Sequence, residues 1–172
     1  MDPLNKINRD SDSTYLLILE SIKREWDSFF CSPKQVYIYS NKLTIECSRF
    51  ELGRKKELKV AKQAENLDLS YFDVVLIRQD PPFNMNYITN TYLLETQGKS
   101  SKKPFFINCP NGLRNFSEKI YPLSFKELIP DTTITMNEEI INSFVNKHGK
   151  VVIKPLFDKG GNGIFLLEKD NP

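Results

Sequence analysis

Apolar residues Tyr15, Ile18, Leu19, Ile22 and Trp26 recur at helical spacing, and Asp12 or Ser13 stands just upstream, where free N–H groups need a cap. The spacing predicts a helix over 13–28. Residues 35–39 (QVYIY) and 43–47 (LTIEC) are short β-prone runs joined by polar Ser40, Asn41 and Lys42, which predicts a hairpin. From 48 to 63 the chain is polar with scattered apolar residues, and the cluster Arg54, Lys55 and Lys56 reads as a solvated face. Residues 73–77 (DVVLI) form a continuous apolar run, as in a parallel strand buried on both faces. Met85, Ile88, Thr91 and Tyr92 then share one face of a helix that Gly98 would stop. Residues 104–107 (PFFI) predict another short buried strand, 111–121 a helix, and 132–136 (TTITM) a further strand. The best-marked helix starts after Asn137 as cap, carries Glu138 and Glu139 at its positive end, presents Ile140, Ile141, Phe144 and Val145, and stops at Gly149. His148, in its last turn, reads most simply as a cation favoured by the negative end of the helix dipole. Two strands, 150–153 and 164–167, follow around a glycine-rich loop. Alternating strands and helices predict an α/β layer, with one weak boundary in the proline-containing stretch 121–131.

Composition narrows the function. The 172 residues are 40% hydrophobic and 27% charged, an ordinary globular balance. Lys and Arg number 24 against 22 Asp and Glu, so the net charge of +2 is far from the excess that holds a nucleic-acid backbone. No apolar run approaches a membrane span, and MDPLNKINRD shows no charged-then-apolar leader pattern, so a soluble protein with neither membrane nor nucleic acid as partner is expected. Cys31, Cys47 and Cys109 are odd in number and widely spaced, which fits a reducing cytoplasm better than a disulfide framework. The single histidine weakens readings that need a histidine pair or a Ser/His/Asp triad.

Three constellations could carry chemistry. In 150–167 (KVVIKPLFDKGGNGIFLL), Lys154 leaves a strand and a loop with Gly160, Gly161 and Gly163 follows. Glycines let backbone N–H groups approach phosphate oxygens, and lysine supplies the compensating charge. A plain hairpin turning at Asn162-Gly163 explains the same glycines. No Walker A pattern is present, and the next element is a strand. The second constellation, 78–83 (RQDPPF), follows a buried strand, where an α/β sheet meets its ligand, so Arg78 and Asp80 are candidate substrate contacts or else a structural pair. In the third, 108–122 (NCPNGLRNFSEKIYP), Arg114 and Lys119 either face an anion or are solvated surface residues.

Taken in order, MDPLNKIN, DST at 12–14, RQDPPF, NCPNGLRNFSEK and VIKPLFDKGGNGIF resemble the bacterial-type glutathione synthetases of the ATP-grasp superfamily over nearly the whole chain. The resemblance implies a Rossmann-like pre-ATP-grasp domain over 1–118 and the first part of an ATP-grasp fold over 119–172. It also implies ligation of γ-glutamylcysteine to glycine with ATP and Mg2+ through an acyl phosphate. By motif, Lys119 and Lys154 correspond to nucleotide-contacting lysines. Lys159, Gly160, Gly161, Asn162 and Gly163 correspond to a mobile loop over the phosphates, and Arg78 and Asp80 to the signature loop of the substrate side. Histidine is unnecessary for such chemistry, which rests on positioning and charge neutralisation. Two departures stand out. Asp158 replaces a usual glycine, placing a carboxylate beside the triphosphate. The family's strand before the MDP segment and its magnesium ligands beyond Pro172 are missing, so the chain is expected to be a fragment, inactive alone, of an enzyme that is a homo-oligomer when full length. The alternatives are another ATP-grasp carboxylate–amine ligase, against which RQDPPF argues, and a non-catalytic truncated binding or assembly module.

Overall fold

A computed structural model describes residues 1, 3–53, 57–98, 103–158 and 160–169, which divide into two compact units. The cluster Arg54 to Lys56 and the loop residue Lys159 therefore lie outside the described residues. The first unit comprises residues 1–80 and 84–115, and the second 81–83 and 116–172.

In the first unit, α1 (Ser13–Lys23) begins where the Asp12 carboxylate accepts from the Thr14 N–H at 2.6 Å. It ends five residues earlier than its apolar spacing predicts, because the chain turns away at Glu25, whose φ is 59°, and Trp26 is left exposed. Strands β1 (Phe29–Phe30), β2 (Val36–Tyr39), β4 (Leu58–Val60) and β5 (Glu65–Asp68) all pair antiparallel with the long β3 (Lys42–Leu52). The predicted hairpin forms with Tyr39 opposite Lys42, and Ser40 and Asn41 take φ of 48° and 63°, as a two-residue turn matched to strand twist requires. The polar stretch 48–63, to which the spacing assigns no element, extends β3 and supplies β4. Alternation on β3 sends Leu43, Ile45 and Cys47 into the core, where Leu69 and Leu94 join them.

Strand β6 (Val74–Leu76), helix α2 (Met85–Gly98) and strand β7 (Phe105–Ile107) make one βαβ unit, with β6 and β7 parallel and Val75 opposite Phe106. The α/β expectation holds, although the parallel part is a single pair and the larger sheet is antiparallel. Burial on both faces does not hold. Val75, Ile77 and Phe106 pack on the core, whereas Val74, Leu76, Phe105 and Ile107 on the opposite face are exposed. Helix α2 buries Tyr87, Thr91 and Leu94, at positions i, i+4 and i+7, and leaves the expected face residues Met85 and Tyr92 exposed. Helix α3 (Pro110–Asn115) ends well short of residue 121, and the chain passes into the second unit at Phe116.

The second unit holds α4 (Glu138–His148) and the antiparallel pair β8 (Lys150–Ile153) and β9 (Phe165–Glu168). The Asn137 side chain accepts from the Glu139 N–H at 2.9 Å, and Gly149, at φ 74°, donates its N–H to the Val145 carbonyl. Residues 132–136 form no strand, and Ile134 and Met136 are exposed. Among the described residues, no helix is long and apolar enough to cross a membrane.

Candidate functional site

Arg78 leaves the C-terminal side of β6 and reaches the start of α1, 64 residues earlier in the chain. Its Nε–H donates to Thr14 Oγ1 at 3.0 Å and its Nη2 to Ser13 Oγ at 2.8 Å. Asp12 completes the group. Burial pushes its carboxyl up, but hydrogen bonds from the Thr14 N–H and hydroxyl and the Tyr15 N–H, with the Arg78 charge, bring it below its ordinary value. Arg78 is thus linked to α1. Asp80 is exposed on the same loop, and after burial its charge is the second cause that raises the Tyr87 phenol. No local spacing signal relates residues 13 and 14 to residue 78, so their partnership cannot be found in the sequence alone.

Arg114 is not a solvated surface residue, and the anion it faces is a carboxylate of its own unit. Its side chain is only 9% exposed. The guanidinium pairs with the Glu95 carboxylate, donates to Thr91 Oγ1 at 3.2 Å and lies 4.1 Å from the Tyr92 ring centroid. With its charge already met, it clamps α3 to α2 beside an open cleft of about 430 Å³.

In the second unit, Lys119 and the glycine-rich loop come together. Lys119 Nζ donates to the Asp158 carbonyl oxygen at 2.7 Å, and its side chain is 20% exposed. Lys154 follows β8 directly and is exposed, with no hydrogen bond or ion pair among the described residues. The connection from β8 to β9 runs over 154–164, so it is a long loop and not a two-residue turn at Asn162-Gly163. Gly160, Gly161 and Gly163 have φ of 64°, 80° and 67°, a region that L side chains disfavour. A Cβ on Gly163 would lie 2.7 Å from Pro155 Cγ, while at Gly160 and Gly161 it would meet no atom within 4 Å, so their backbone is open to approach. Phe83 of the DPPF segment stacks on Phe157 of the loop at a centroid distance of 6.1 Å and donates its N–H to the Phe157 carbonyl at 3.2 Å. His148 does more than face the helix dipole, since its Nε2 lies 2.9 Å from Asp131 Oδ2, which Lys147 Nζ also approaches at 2.7 Å. Among the described residues, no three His, Cys, Asp or Glu side chains converge to hold a metal ion.

A βαβ unit with an arginine at the end of its strand and, in the second unit, a lysine tied to a glycine loop between two antiparallel strands make this a mixed α/β protein. Comparison with known families agrees. The model of the prokaryotic glutathione synthetase N-terminal domain matches residues 1–114, and that of the prokaryotic glutathione synthetase ATP-grasp domain matches residues 118–172. The chain belongs to the prokaryotic glutathione synthetase family. Similar proteins include the glutathione synthetases of Photorhabdus laumondii (34% identical, 100% of this chain, 54% of that protein), Agrobacterium fabrum (36%, 99%, 53%) and Bradyrhizobium diazoefficiens (38%, 97%, 52%). The chain spans about half the length of the curated relatives it matches.

Proposed function

We propose that this chain carries the nucleotide- and dipeptide-contacting part of an ATP-dependent ligase that joins γ-glutamylcysteine to glycine. Residues 1–118 supply the dipeptide side and 119–172 the nucleotide side. One observation carries the reading: in an ATP-grasp domain, a lysine cation sits on a loop whose glycines leave their backbone open. Lys119, Lys154 and the backbone N–H groups of Gly160, Gly161, Asn162 and Gly163 would meet a triphosphate with two cations and with open space at Gly160 and Gly161. ATP, when bound, supplies the phosphoryl group that turns a carboxylate into an acyl donor. The work of the chain's own residues is charge neutralisation and positioning: the lysines hold phosphate oxygens, and Arg78, with Asp80 beside it, binds a carboxylate of γ-glutamylcysteine. Among the described residues, no group of three His, Cys, Asp or Glu side chains forms a magnesium site. Asp158 is exposed and engages Lys119 through its backbone carbonyl, which leaves its carboxylate uninvolved in that contact. The free thiols of Cys31, Cys47 and Cys109 support a reducing, cytoplasmic setting.

Calorimetric titration of the chain with ATP tests the nucleotide side. Lys154→Ala removes a charge-assisted contact of about 1.5–3 kcal/mol, so ATP affinity falls about ten- to a hundredfold, and Lys119→Ala lowers it less. Unchanged affinity in both variants would refute the assignment.

A further inference from the structure

We propose that Ser13 and Thr14 are positioning residues for Arg78: their hydroxyl oxygens hold one edge of its guanidinium and leave its terminal pair of N–H groups for a substrate carboxylate. This rests on the reading of Arg78 as the dipeptide contact. A guanidinium has five N–H groups, one on Nε and two on each Nη. Thr14 Oγ1 takes the Nε–H and Ser13 Oγ takes one N–H of Nη2, so the two hydroxyls occupy the side-on edge. Three N–H groups remain, two on Nη1 and one on Nη2, and a neighbouring pair of these is the planar fork that a carboxylate matches.

The support is itself anchored. Thr14 is buried, and its hydroxyl oxygen accepts from Arg78. Asp12 in turn is held by the Thr14 backbone N–H. A chain of hydrogen bonds thus runs from a fixed helix end to an exposed cation. An arginine held only by its flexible stem would lose more rotamer freedom on binding than one already fixed at two nitrogens.

The test is titration of the 15N-labelled chain with γ-glutamylcysteine, followed by NMR through the Arg78 Nε–H and the amides of 12–15 and 78–80. Wild-type shifts should saturate. Ser13→Ala and Thr14→Val should each weaken binding about three- to tenfold, as loss of one hydrogen bond allows, and speed exchange of the Arg78 Nε–H or guanidinium protons. Thr14→Ser, which keeps the hydroxyl, should restore binding to within about twofold. ATP-induced shifts should be the same in all variants. Ser13 is exposed, so Ser13→Ala decides the matter even if Thr14→Val fails to fold. Wild-type affinity in Ser13→Ala and Thr14→Val, with binding lost in Arg78→Ala, would overturn the positioning role and leave the Arg78 site standing. An absence of saturable shifts around Arg78 in the wild type, or undiminished binding in Arg78→Ala, would overturn the Arg78 site and this proposal with it.

Discussion

Replacing Arg114 with methionine probes the strongest polar clamp of the first unit. Methionine keeps the length of the stem but removes the partner of Glu95, the donor to Thr91 and the cation over Tyr92. Removing one member of a buried ion pair costs about 3–5 kcal/mol, because the other charge stays desolvated and unpaired. Here Arg114 is 9% exposed and Glu95 21%, so some water reaches the carboxylate, and Glu95 keeps a further interaction, which sets the cost at about 3 kcal/mol, the lower end, at most. With a urea dependence of about 2 kcal/mol/M, the midpoint should move down by about 1.5 M. Urea-dependent hydrogen exchange of the α2 and α3 amides is the suitable assay, because it reports the first unit without the second. The double variant Arg114→Met with Glu95→Leu should recover at least half of the loss, since no charge is then left buried without a partner. A single-variant shift under about 0.3 M, or a double variant no better than the single, would refute the clamp.

Three further outcomes follow from the geometry. Gly163→Ala should destabilise the β8–β9 pair more than Gly160→Ala: both meet a positive-φ cost of about 1–2 kcal/mol, but only the first drives a Cβ to 2.7 Å from Pro155 Cγ, and equal hydrogen-exchange protection in the two variants would count against it. The Asp131 carboxyl, held down first by its hydrogen bond to Lys147, opposed next by burial, and lowered further by the Lys147 and His148 charges, should titrate below the ordinary aspartate value by NMR. Since its folded pKa is depressed, its contribution to stability is present above the unfolded value and lost as pH falls through the folded one, and Asp131→Asn should remove that pH dependence. Arg78→Lys should weaken γ-glutamylcysteine binding while sparing ATP, because lysine keeps the charge but loses the fork; equal damage to both ligands with a lower Tm would make Arg78 a structural residue.

What could be read along the chain were features decided by neighbours a few residues apart. Asn137 and Gly149 bracket α4 because a cap and a left-handed stop act within one turn, and Ser40-Asn41 closes its hairpin because a turn needs only its own two residues. The motif order that gave the family, and the glycines of the 154–164 loop, were legible for the same reason. Other features depended on what distant segments offered. Residues 132–136 have the β propensity of a strand and form none, whereas polar residues 48–52 extend β3 because β1 and β4 lie along them. One face of β6 and β7 is covered by the core and the other is not, a difference invisible in a uniformly apolar run. Arg114 and Arg78 look alike in sequence, each an arginine shortly after a strand. One meets Glu95 in a desolvated corner and the other meets two neutral hydroxyls at an exposed helix end. Whether a charge becomes a clamp or stays available to a ligand is decided by the partners and the water that the tertiary fold leaves around it, and neither is encoded within a few residues of the arginine itself.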